Sequence, residues 1–288
     1  MTRTIPFRRV AIIGTGLIGG SFGLALRREF PGISVVGFSH SGSAARAIAR
    51  HAIDEAAPDL AAAIRRADLI YIALPIGATI ETLATIAQFA EPHALVTDAG
   101  STKASICRIA REHFRGEGLF LGGHPMAGKE QSGIDHADAN LFLGAPYVLM
   151  GTEATADPRT KQFEALVRDL GAKPVWCDPE THDWAVGIVS HLPQLVSVAL
   201  ARVVQDETDE TGLPLSLAGS GLHDTLRLAG SPYSIWRDIL LTNTDNISRA
   251  LDRLAQAIDY LRTNLATKEI EQEFSGANDL YRQVRRSS

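Results

Sequence analysis

Residues 9–28 read RVAIIGTGLIGGSFGLALRR, and this stretch decides the fold of the first half of the chain. A short apolar run typical of a buried strand ends at Gly14, and a helical pattern follows the glycines. The spacing G-x-G-x-x-G at such a junction is typical of a dinucleotide-binding turn. Gly14 allows the tight turn, Gly16 lets a pyrophosphate approach the backbone, and Gly19 lets the helix pack on the strand. The helix N-terminus also offers unpaired N–H groups to phosphates. We therefore expect Gly14, Gly16, Leu17, Ile18 and Gly19 to bind a dinucleotide, the alternative being an ordinary glycine-rich turn.

The alternation of strand and helix continues through the first part of the chain. Strand-like runs occur at 9–14, 33–38, 68–75 and 94–98, and helical patterns at 17–28, 44–51 and 79–89. Further short strands are expected at 119–121, 147–150 and 174–176. This order predicts βαβ units and a parallel sheet covered by helices on both faces.

After about Asp178 the strand-like runs end and only helical patterns remain. They cover residues 181–202, 214–218, 234–262 and 267–284. The chain is therefore predicted to have an α/β fold in two parts. Residues 1–177 form a Rossmann-type dinucleotide-binding domain, and residues 178–288 form an all-α domain.

The composition excludes several classes of protein. Of the 288 residues, 28 are basic and 33 acidic, which argues against nucleic acid or an anionic membrane as the main partner. The two cysteines, Cys107 and Cys177, are far apart and form no disulfide or zinc pattern. No apolar stretch is expected to reach the roughly 20 residues that span a bilayer. These features predict a cytoplasmic protein that acts on a small molecule.

The end of the second strand bears on the choice between NAD and NADP. An acidic residue about 20 residues past the glycine motif binds the ribose 2′-hydroxyl of NAD, but here the residues are Ser39, His40 and Ser41. These side chains could accept a 2′-phosphate, with help from Arg46 or Arg50. We therefore predict NADP as cofactor, with NAD as the alternative. The competing interpretation is that these are turn and N-cap residues.

Two polar residues are placed to share the cofactor crevice. Ser101 follows the strand at 94–98, and His124 follows the strand at 119–121, in LFLGGHPMAGKEQSG (119–133). Ligands bind at the carboxyl ends of parallel strands, so both side chains should lie near the nicotinamide. His124 is then a candidate acceptor for the proton of a substrate hydroxyl. A structural histidine and an N-cap serine are the alternatives. The role of Lys103 is left open, with a plain surface charge as one interpretation.

The helical part contributes further candidates. Ser190 and His191 precede Pro193 inside an apolar helix, which fits either a cavity lining or a buried histidine with a core partner. Arg227 lies among apolar residues and could grip a carboxylate with its guanidinium fork. Its alternative partner is an internal carboxylate such as Asp224 or Asp238.

Taken together, the segments GTGLIGGSFGLAL, DAGSTK, GGHPMAGKEQSG, SHLPQ and HDTLRLAGSPYSIWRDIL resemble the prephenate/arogenate dehydrogenase family of tyrosine biosynthesis. The resemblance covers nearly the whole chain. It implies a dinucleotide-binding domain followed by a helical domain that forms a homodimer. It also implies an oxidative decarboxylation: hydride leaves the hydroxyl-bearing ring carbon for NAD(P)+, and carbon dioxide leaves the opposite carbon.

The resemblance implies a role for each candidate residue. His124 accepts the hydrogen bond of the ring hydroxyl, Ser101 orients His124 and the nicotinamide, and Arg227 holds the ring carboxylate. His191 contacts the side-chain end of the substrate. His223 stands where the family often has lysine or arginine, which leaves prephenate and arogenate both open as substrate.

Two other functions remain as alternatives. A 3-hydroxyacid-type dehydrogenase has a similar two-domain plan, but it generally relies on a lysine in its helical domain, and residues 181–202 contain none. A non-catalytic NADP-binding sensor would keep the glycine loop without needing Ser101, His124 and Arg227 together.

Overall fold

The structure is a computed structural model that describes residues 7–39, 42–115, 118–129, 131–151 and 157–287. Two of the predicted cofactor residues, His40 and Ser41, lie outside the described residues. The strands are β1 Arg9–Ile13, β2 Ser34–Phe38, β3 Glu55–Ala56, β4 Leu69–Ile72, β5 Leu95–Asp98, β6 Leu119–Leu121, β7 Gly123–Pro125, β8 Pro146–Met150 and β9 Lys173–Cys177.

The helices divide between the two parts of the chain. Among the strands lie α1 Leu17–Glu29, α2 Ser43–Ala49, α3 Leu60–Ile64, α4 Ile76–Phe89, α5 Ala104–His113 and α6 Pro158–Asp169. After the last strand come α7 Pro179–Val186, α8 Leu192–Glu207, α9 Leu213–Ser216, α10 Ser220–Leu226, α11 Tyr233–Thr242, α12 Thr244–Asn264 and α13 Glu269–Ser287. The predicted fold class, a strand-containing domain followed by a helical one, is confirmed.

The main sheet is parallel and has the order β3-β2-β1-β4-β5-β6. Strand β1 lies near its centre, and its apolar side chains are fully buried in alternation on both faces. Val10 and Ile12 pack into one core cluster, whereas Ala11 and Ile13 pack into the other. Because β2 and β4 flank β1 on opposite sides, a crevice forms at the carboxyl end of β1, where such sheets bind ligands.

A second, three-stranded sheet has the order β7-β8-β9, with β7 antiparallel to β8. The sequence placed His124 after the strand at 119–121, and the structure shows it on a further strand, β7, where it pairs with Val148. The chain leaves the main sheet at Gly122 and crosses at once to the second. Only glycine permits this crossing, because a Cβ at Gly123 would lie 2.8 Å from the carbonyl oxygen of Asp98.

One departure from the predicted helical pattern is a break near Asn243. The pattern at 234–262 indicated one helix, whereas α11 ends and α12 begins on either side of Asn243. Asn243 is 3% exposed, and its side-chain amide donates to the carbonyl oxygen of Asp183 and to the ring of His191. These tertiary contacts account for a break that no glycine or proline marks.

The helical run Pro179–Glu207 is 29 residues long and apolar enough to pass a test for membrane spans by length and composition. The expectation that no apolar stretch reaches that length was therefore wrong. The core helices of soluble proteins pass the same test. A π-helical turn at Gly187–His191 interrupts this run just before Pro193, which cannot donate a helical hydrogen bond.

Carboxylates of the helical domain cap two helices of the first domain. Within the described residues, neither α4 nor α5 has a side-chain cap at its own N-cap position. Instead, Asp238 accepts from the backbone N–H of Gly77 in the first turn of α4, at 2.8 Å. Asp183 accepts from the backbone N–H groups at the start of α5, which are those of Lys103 and Ala104. These bonds tie the two domains together at the carboxyl edge of the sheet.

We predict that Asp238→Ala lowers the free energy of unfolding by about 1–2 kcal/mol, since the N–H of Gly77 loses its acceptor. Arg237→Ala is the matched control. Its guanidinium pairs with the same carboxylate but its side chain is 59% exposed, so a loss of at most about 0.5 kcal/mol is expected. Urea unfolding followed by circular dichroism measures both. Equal losses in the two variants would contradict a capping role for Asp238.

Candidate active site

The glycine loop forms a space for a phosphate at the start of α1. Gly14 has a φ of +100°, which favours glycine, and a Cβ at Gly19 would lie 2.0 Å from the carbonyl oxygen of Gly14. At Gly16, by contrast, no described atom lies within 4 Å of an added Cβ. The first turn of α1 contains no acidic residue, so its N–H groups can receive an anion. The loop therefore fits the pyrophosphate of a dinucleotide.

Ser39 lies half-buried just past the end of β2 and belongs to a chain of hydroxyl groups. Its Oγ accepts from the Oγ of Ser43 at 2.9 Å, and Ser43 lies 2.7 Å from the Oγ1 of Thr15. The two arginines considered as helpers contact the segment around residues 134–137. Arg46 pairs with Asp135 at 2.9 Å, and Arg50 donates to the carbonyl oxygen of Ala137 at 3.1 Å.

A buried ion pair supports the strand that carries His124. Lys103 and Asp98 are both 0% exposed and their side chains form a salt bridge. The interpretation of Lys103 as a surface charge is therefore wrong. Its Nζ also donates to the carbonyl oxygen of Gly123 at 2.8 Å, while the N–H of Gly123 donates to Asp98 at 3.2 Å. The pair thus holds both backbone groups of the residue that precedes His124.

His124 is 9% exposed and begins a chain of three side chains. Its Nδ1 lies 2.8 Å from the Nε2 of His182, and the Nδ1 of His182 lies 2.8 Å from Oδ1 of Asp183. His182 and Asp183 lie on α7 and are each 2% exposed. Sequence reasoning missed both residues. The available signal was an adjacent His-Asp pair within an otherwise apolar helical pattern.

The surroundings of His124 keep its imidazole neutral. Burial lowers its pKa well below the ordinary value, and His182 and Lys103 lower it further. A histidine that stays neutral near pH 7 offers a lone pair to a hydroxyl proton. The geometry therefore suits a hydrogen-bond acceptor.

His191 is 1% exposed and lies inside the helical domain. Its Nδ1 lies 3.1 Å from Nδ2 of Asn243, and its ring meets Trp236 edge-on, with ring centroids 5.8 Å apart. Burial lowers the pKa of His191 to about 4. In this structure His191 has the core partner that the alternative interpretation required.

Arg227 and His223 are exposed on the segment that includes α10. Two side chains of α8 fix the backbone around Arg227. The Oγ of Ser197 donates to the carbonyl oxygen of Thr225 at 2.6 Å and accepts from the N–H of Ala229 at 3.0 Å. Gln194 donates to the carbonyl oxygen of Leu228 at 2.8 Å.

The last two candidates from the sequence are Asp238 and Ser101. Asp238, one of the two carboxylates suggested as an internal partner of Arg227, pairs with Arg237 at 2.8 Å. Ser101 is half-buried three residues past the end of β5, at the same edge of the sheet as the glycine loop. The structure thus brings Ser101 to the carboxyl edge of the sheet, as predicted.

Two family models match most of the chain. Residues 22–176 match the model described as prephenate dehydrogenase, nucleotide-binding domain, and residues 178–277 match prephenate dehydrogenase, dimerization domain. The first match begins after the glycine loop. The loop is therefore a separate observation that supports nucleotide binding.

Several known proteins are similar over most of the chain. A prephenate dehydrogenase of Bacillus subtilis is 33% identical over 92% of this chain and 72% of its own length. A solved prephenate dehydrogenase of A. aeolicus, in complex with hydroxyphenyl propionate and NAD+, has a TM-score of 0.84 and 27% identity. It covers 98% of this chain and 99% of its own. A solved arogenate dehydrogenase of Synechocystis has a TM-score of 0.78 and 35% identity, with coverage of 95% and 99%.

Two glycine variants separate cofactor binding from folding. Gly16→Ala is expected to leave the unfolding midpoint unchanged, because the added Cβ meets no described atom within 4 Å. It should weaken dinucleotide binding about tenfold or more, since the methyl group occupies the space of the pyrophosphate. Gly19→Ala should lower both stability and binding, because its Cβ would lie 2.0 Å from the backbone oxygen of Gly14. Thermal unfolding and titration calorimetry measure the two effects. Dinucleotide affinity unchanged in Gly16→Ala would contradict the placement of the pyrophosphate.

Proposed function

The chain belongs to the prephenate dehydrogenase family and is an NAD(P)-dependent oxidoreductase, and we propose that it converts prephenate to 4-hydroxyphenylpyruvate and carbon dioxide with NADP+. The observation that carries this proposal is His124, buried near the carboxyl edge of a nucleotide-binding sheet, where burial lowers its pKa well below the ordinary value. The reaction belongs to tyrosine biosynthesis.

The glycine loop would hold the dinucleotide through its pyrophosphate, and the bound nicotinamide would accept the hydride. The chain's own residues then have to orient the ring and stabilise charge on its hydroxyl oxygen. Loss of hydride from the hydroxyl-bearing carbon and of carbon dioxide from the opposite carbon leaves an aromatic ring. The hydroxyl keeps its proton in the phenol product, so the reaction needs a hydrogen-bond acceptor and no net proton transfer.

His124 is the proposed acceptor. As the hydride leaves, positive charge develops on the hydroxyl group, and a neutral imidazole nitrogen within hydrogen-bond distance stabilises it. Its low pKa supports this role, because a protonated ring would offer the hydroxyl no lone pair. Ser101 is proposed to orient His124 and the nicotinamide from the end of β5.

The helical domain is proposed to bind the rest of the substrate. Arg227 would grip the ring carboxylate with its guanidinium fork. The contacts of Ser197 and Gln194 with the backbone on both sides of Arg227 support this assignment, since they fix where that side chain starts. His191 and His223 are proposed to face the side-chain end of the substrate.

We propose prephenate as the preferred substrate, with arogenate as the second candidate. The Bacillus subtilis relative is named for prephenate and the Synechocystis structure for arogenate. Prephenate ends in a keto acid and arogenate in an amino acid. His223 is exposed and does not by itself select between the two substrates, so the preference for prephenate rests on its being the commoner bacterial substrate in the family.

NADP is the proposed cofactor because a serine stands where NAD-specific proteins carry a carboxylate. The hydroxyl groups of Ser39, Ser43 and Thr15 form one hydrogen-bonded chain at this point. Such a cluster can receive a 2′-phosphate, which a carboxylate would repel. The A. aeolicus structure contains NAD+, which keeps NAD as the alternative.

We also propose that two copies of the chain form a homodimer through residues 178–288, with the domain boundary after residue 177. The second family model is described as a dimerization domain. Large apolar side chains are exposed on the helical domain, including Val189 at 68%, Leu217 at 74% and Leu265 at 71%. A second copy would cover such surface. The enzyme is proposed to act in the cytoplasm, without nucleic-acid or membrane partners.

A two-by-two rate assay tests the proposed function. The purified protein is offered prephenate and arogenate, each with NAD+ and with NADP+, and reduced cofactor is followed by absorbance. Turnover is expected with prephenate and NADP+. Absence of turnover in all four combinations, with cofactor binding demonstrated separately, would favour a non-catalytic sensor.

Substitutions at His124 and Arg227 separate the proposed roles of these two residues. His124→Asn should lower kcat by about 10²–10⁴-fold with little change in cofactor affinity, because it removes the acceptor and not the binding loop. Arg227→Ala should raise KM for prephenate by about 100-fold, and Arg227→Lys should fall between, since it keeps the charge but loses the fork. Steady-state kinetics measures these effects. Unchanged kcat in His124→Asn, or unchanged KM in Arg227→Ala, would refute the corresponding assignment.

Ser39→Asp should shift cofactor preference towards NAD+ by about tenfold or more, because the carboxylate repels a 2′-phosphate and accepts from a ribose hydroxyl. The ratio of kcat/KM for the two cofactors is the measurement. Ser34→Asp places the same charge at the amino end of the same strand and should leave that ratio unchanged. Equal ratios in Ser39→Asp and the wild type would show that residue 39 does not face the 2′ position.

A further inference from the structure

We infer that His182 and Asp183 are positioning residues that fix His124 in the tautomer with a proton on Nδ1 and a bare Nε2. This inference rests on the proposed role of His124 as acceptor. It concerns two residues of the helical domain that act through the ring of a residue in the other domain. The hydrogen bonds that run from Asp183 through His182 to His124 fix the position of each proton.

The first group in this series of hydrogen bonds is the carboxylate of Asp183, which accepts hydrogen bonds at both oxygens. Oδ1 of Asp183 accepts from the backbone N–H of Lys103 at 2.7 Å, and Oδ2 accepts from that of Ala104 at 2.9 Å. An ionised carboxylate is an acceptor only. The Nδ1 of His182, 2.8 Å from Oδ1, must therefore be the donor.

The donor role of Nδ1 determines the role of the other ring nitrogen of His182. A neutral imidazole carries one proton, so a protonated Nδ1 leaves Nε2 of His182 as an acceptor. The Nδ1 of His124 lies 2.8 Å away and must donate to it. With its proton on Nδ1, neutral His124 presents a lone pair at Nε2, the nitrogen left to face a substrate hydroxyl.

His124 is supported from both domains at once. On one side, the ion pair of Lys103 and Asp98 holds the backbone of Gly123. On the other side, His182 reaches its ring from α7. Lys103 belongs to both supports, since its side chain holds Gly123 and its backbone N–H binds Asp183. The reactive tautomer thus depends on the contact between the two domains.

A doubly protonated His182 would reverse the direction of its hydrogen bond with His124. It would donate from Nε2, Nδ1 of His124 would have to accept, and the proton of His124 would move to Nε2. That nitrogen could then donate to a hydroxyl but could not accept from it. The two arrangements therefore differ in one observable property, which is the nitrogen of His124 that carries the proton.

The primary test is nitrogen NMR of the full-length protein labelled with ¹⁵N in its histidine rings, with NADP+ bound and no substrate. His124→Asn identifies the signals of His124. A protonated Nδ1 and an unprotonated Nε2 are expected near pH 7. The opposite tautomer, or a charged ring, would overturn the inference.

Kinetics of two variants gives a second readout. In His182→Leu the Nδ1–H of His124 loses its acceptor, and we expect kcat to fall by about 100-fold while KM and the cofactor Kd stay near wild type. In His182→Gln the amide oxygen can still accept from that N–H, and the loss should be about tenfold or less. Equal losses in the two variants, or none in either, would contradict the positioning role. Thermal unfolding of both variants shows whether each is folded.

The two tests separate this inference from the proposed function. The NMR measurement needs no substrate. If it shows the predicted tautomer in a protein that turns over no ring substrate, only the proposed function is contradicted. Prephenate turnover with the opposite tautomer of His124 would retain the function and overturn the role of His182 and Asp183.

Discussion

The proposed site depends on the hydrogen bonds that the carboxylate of Asp183 accepts. This carboxylate comes from the helical domain, caps the first turn of α5 in the other domain, and binds the ring of His182. A single buried carboxylate thus joins the two domains and orients the side chain that contacts His124. Removing it would leave two backbone N–H groups and one imidazole N–H without an acceptor. Such groups are costly to leave unpaired away from water.

In the proposed site, the two domains contribute different residues. The parallel sheet supplies the glycine loop at the end of β1 and Ser101 after β5, both at its carboxyl edge. The helical domain carries Arg227, the residue proposed to bind the ring carboxylate, and the side chains that hold the backbone around it. His124 lies on β7, in a short second sheet, with the Asp98–Lys103 pair beneath it. The proposed acceptor is therefore fixed by buried polar contacts, as is expected of a group that orients a substrate hydroxyl and stabilises charge on it.

The sequence predicted the parts of the fold and site that local patterns specify. The glycine spacing, the strand–helix alternation and the rule that ligands bind at the carboxyl edge were enough for the fold class and for the position of Ser101. They could not reveal Lys103 as a buried residue, because lysines are usually exposed and its partner Asp98 becomes visible only in the folded chain. His182 and Asp183 were missed for a similar reason, since their partners are about 60 to 80 residues away. The break at Asn243 also arises from tertiary contacts.

A crystal structure of the complex with NADP+ and 4-hydroxyphenylpyruvate would test the central claim most directly, which is that His124 accepts the hydrogen bond of the ring hydroxyl. The account predicts the hydroxyl oxygen at about 2.6–3.2 Å from Nε2 of His124. It also predicts that Nδ1 of His124 still faces His182. A hydroxyl group bound by another side chain, with Nε2 of His124 beyond hydrogen-bond reach, would contradict the account.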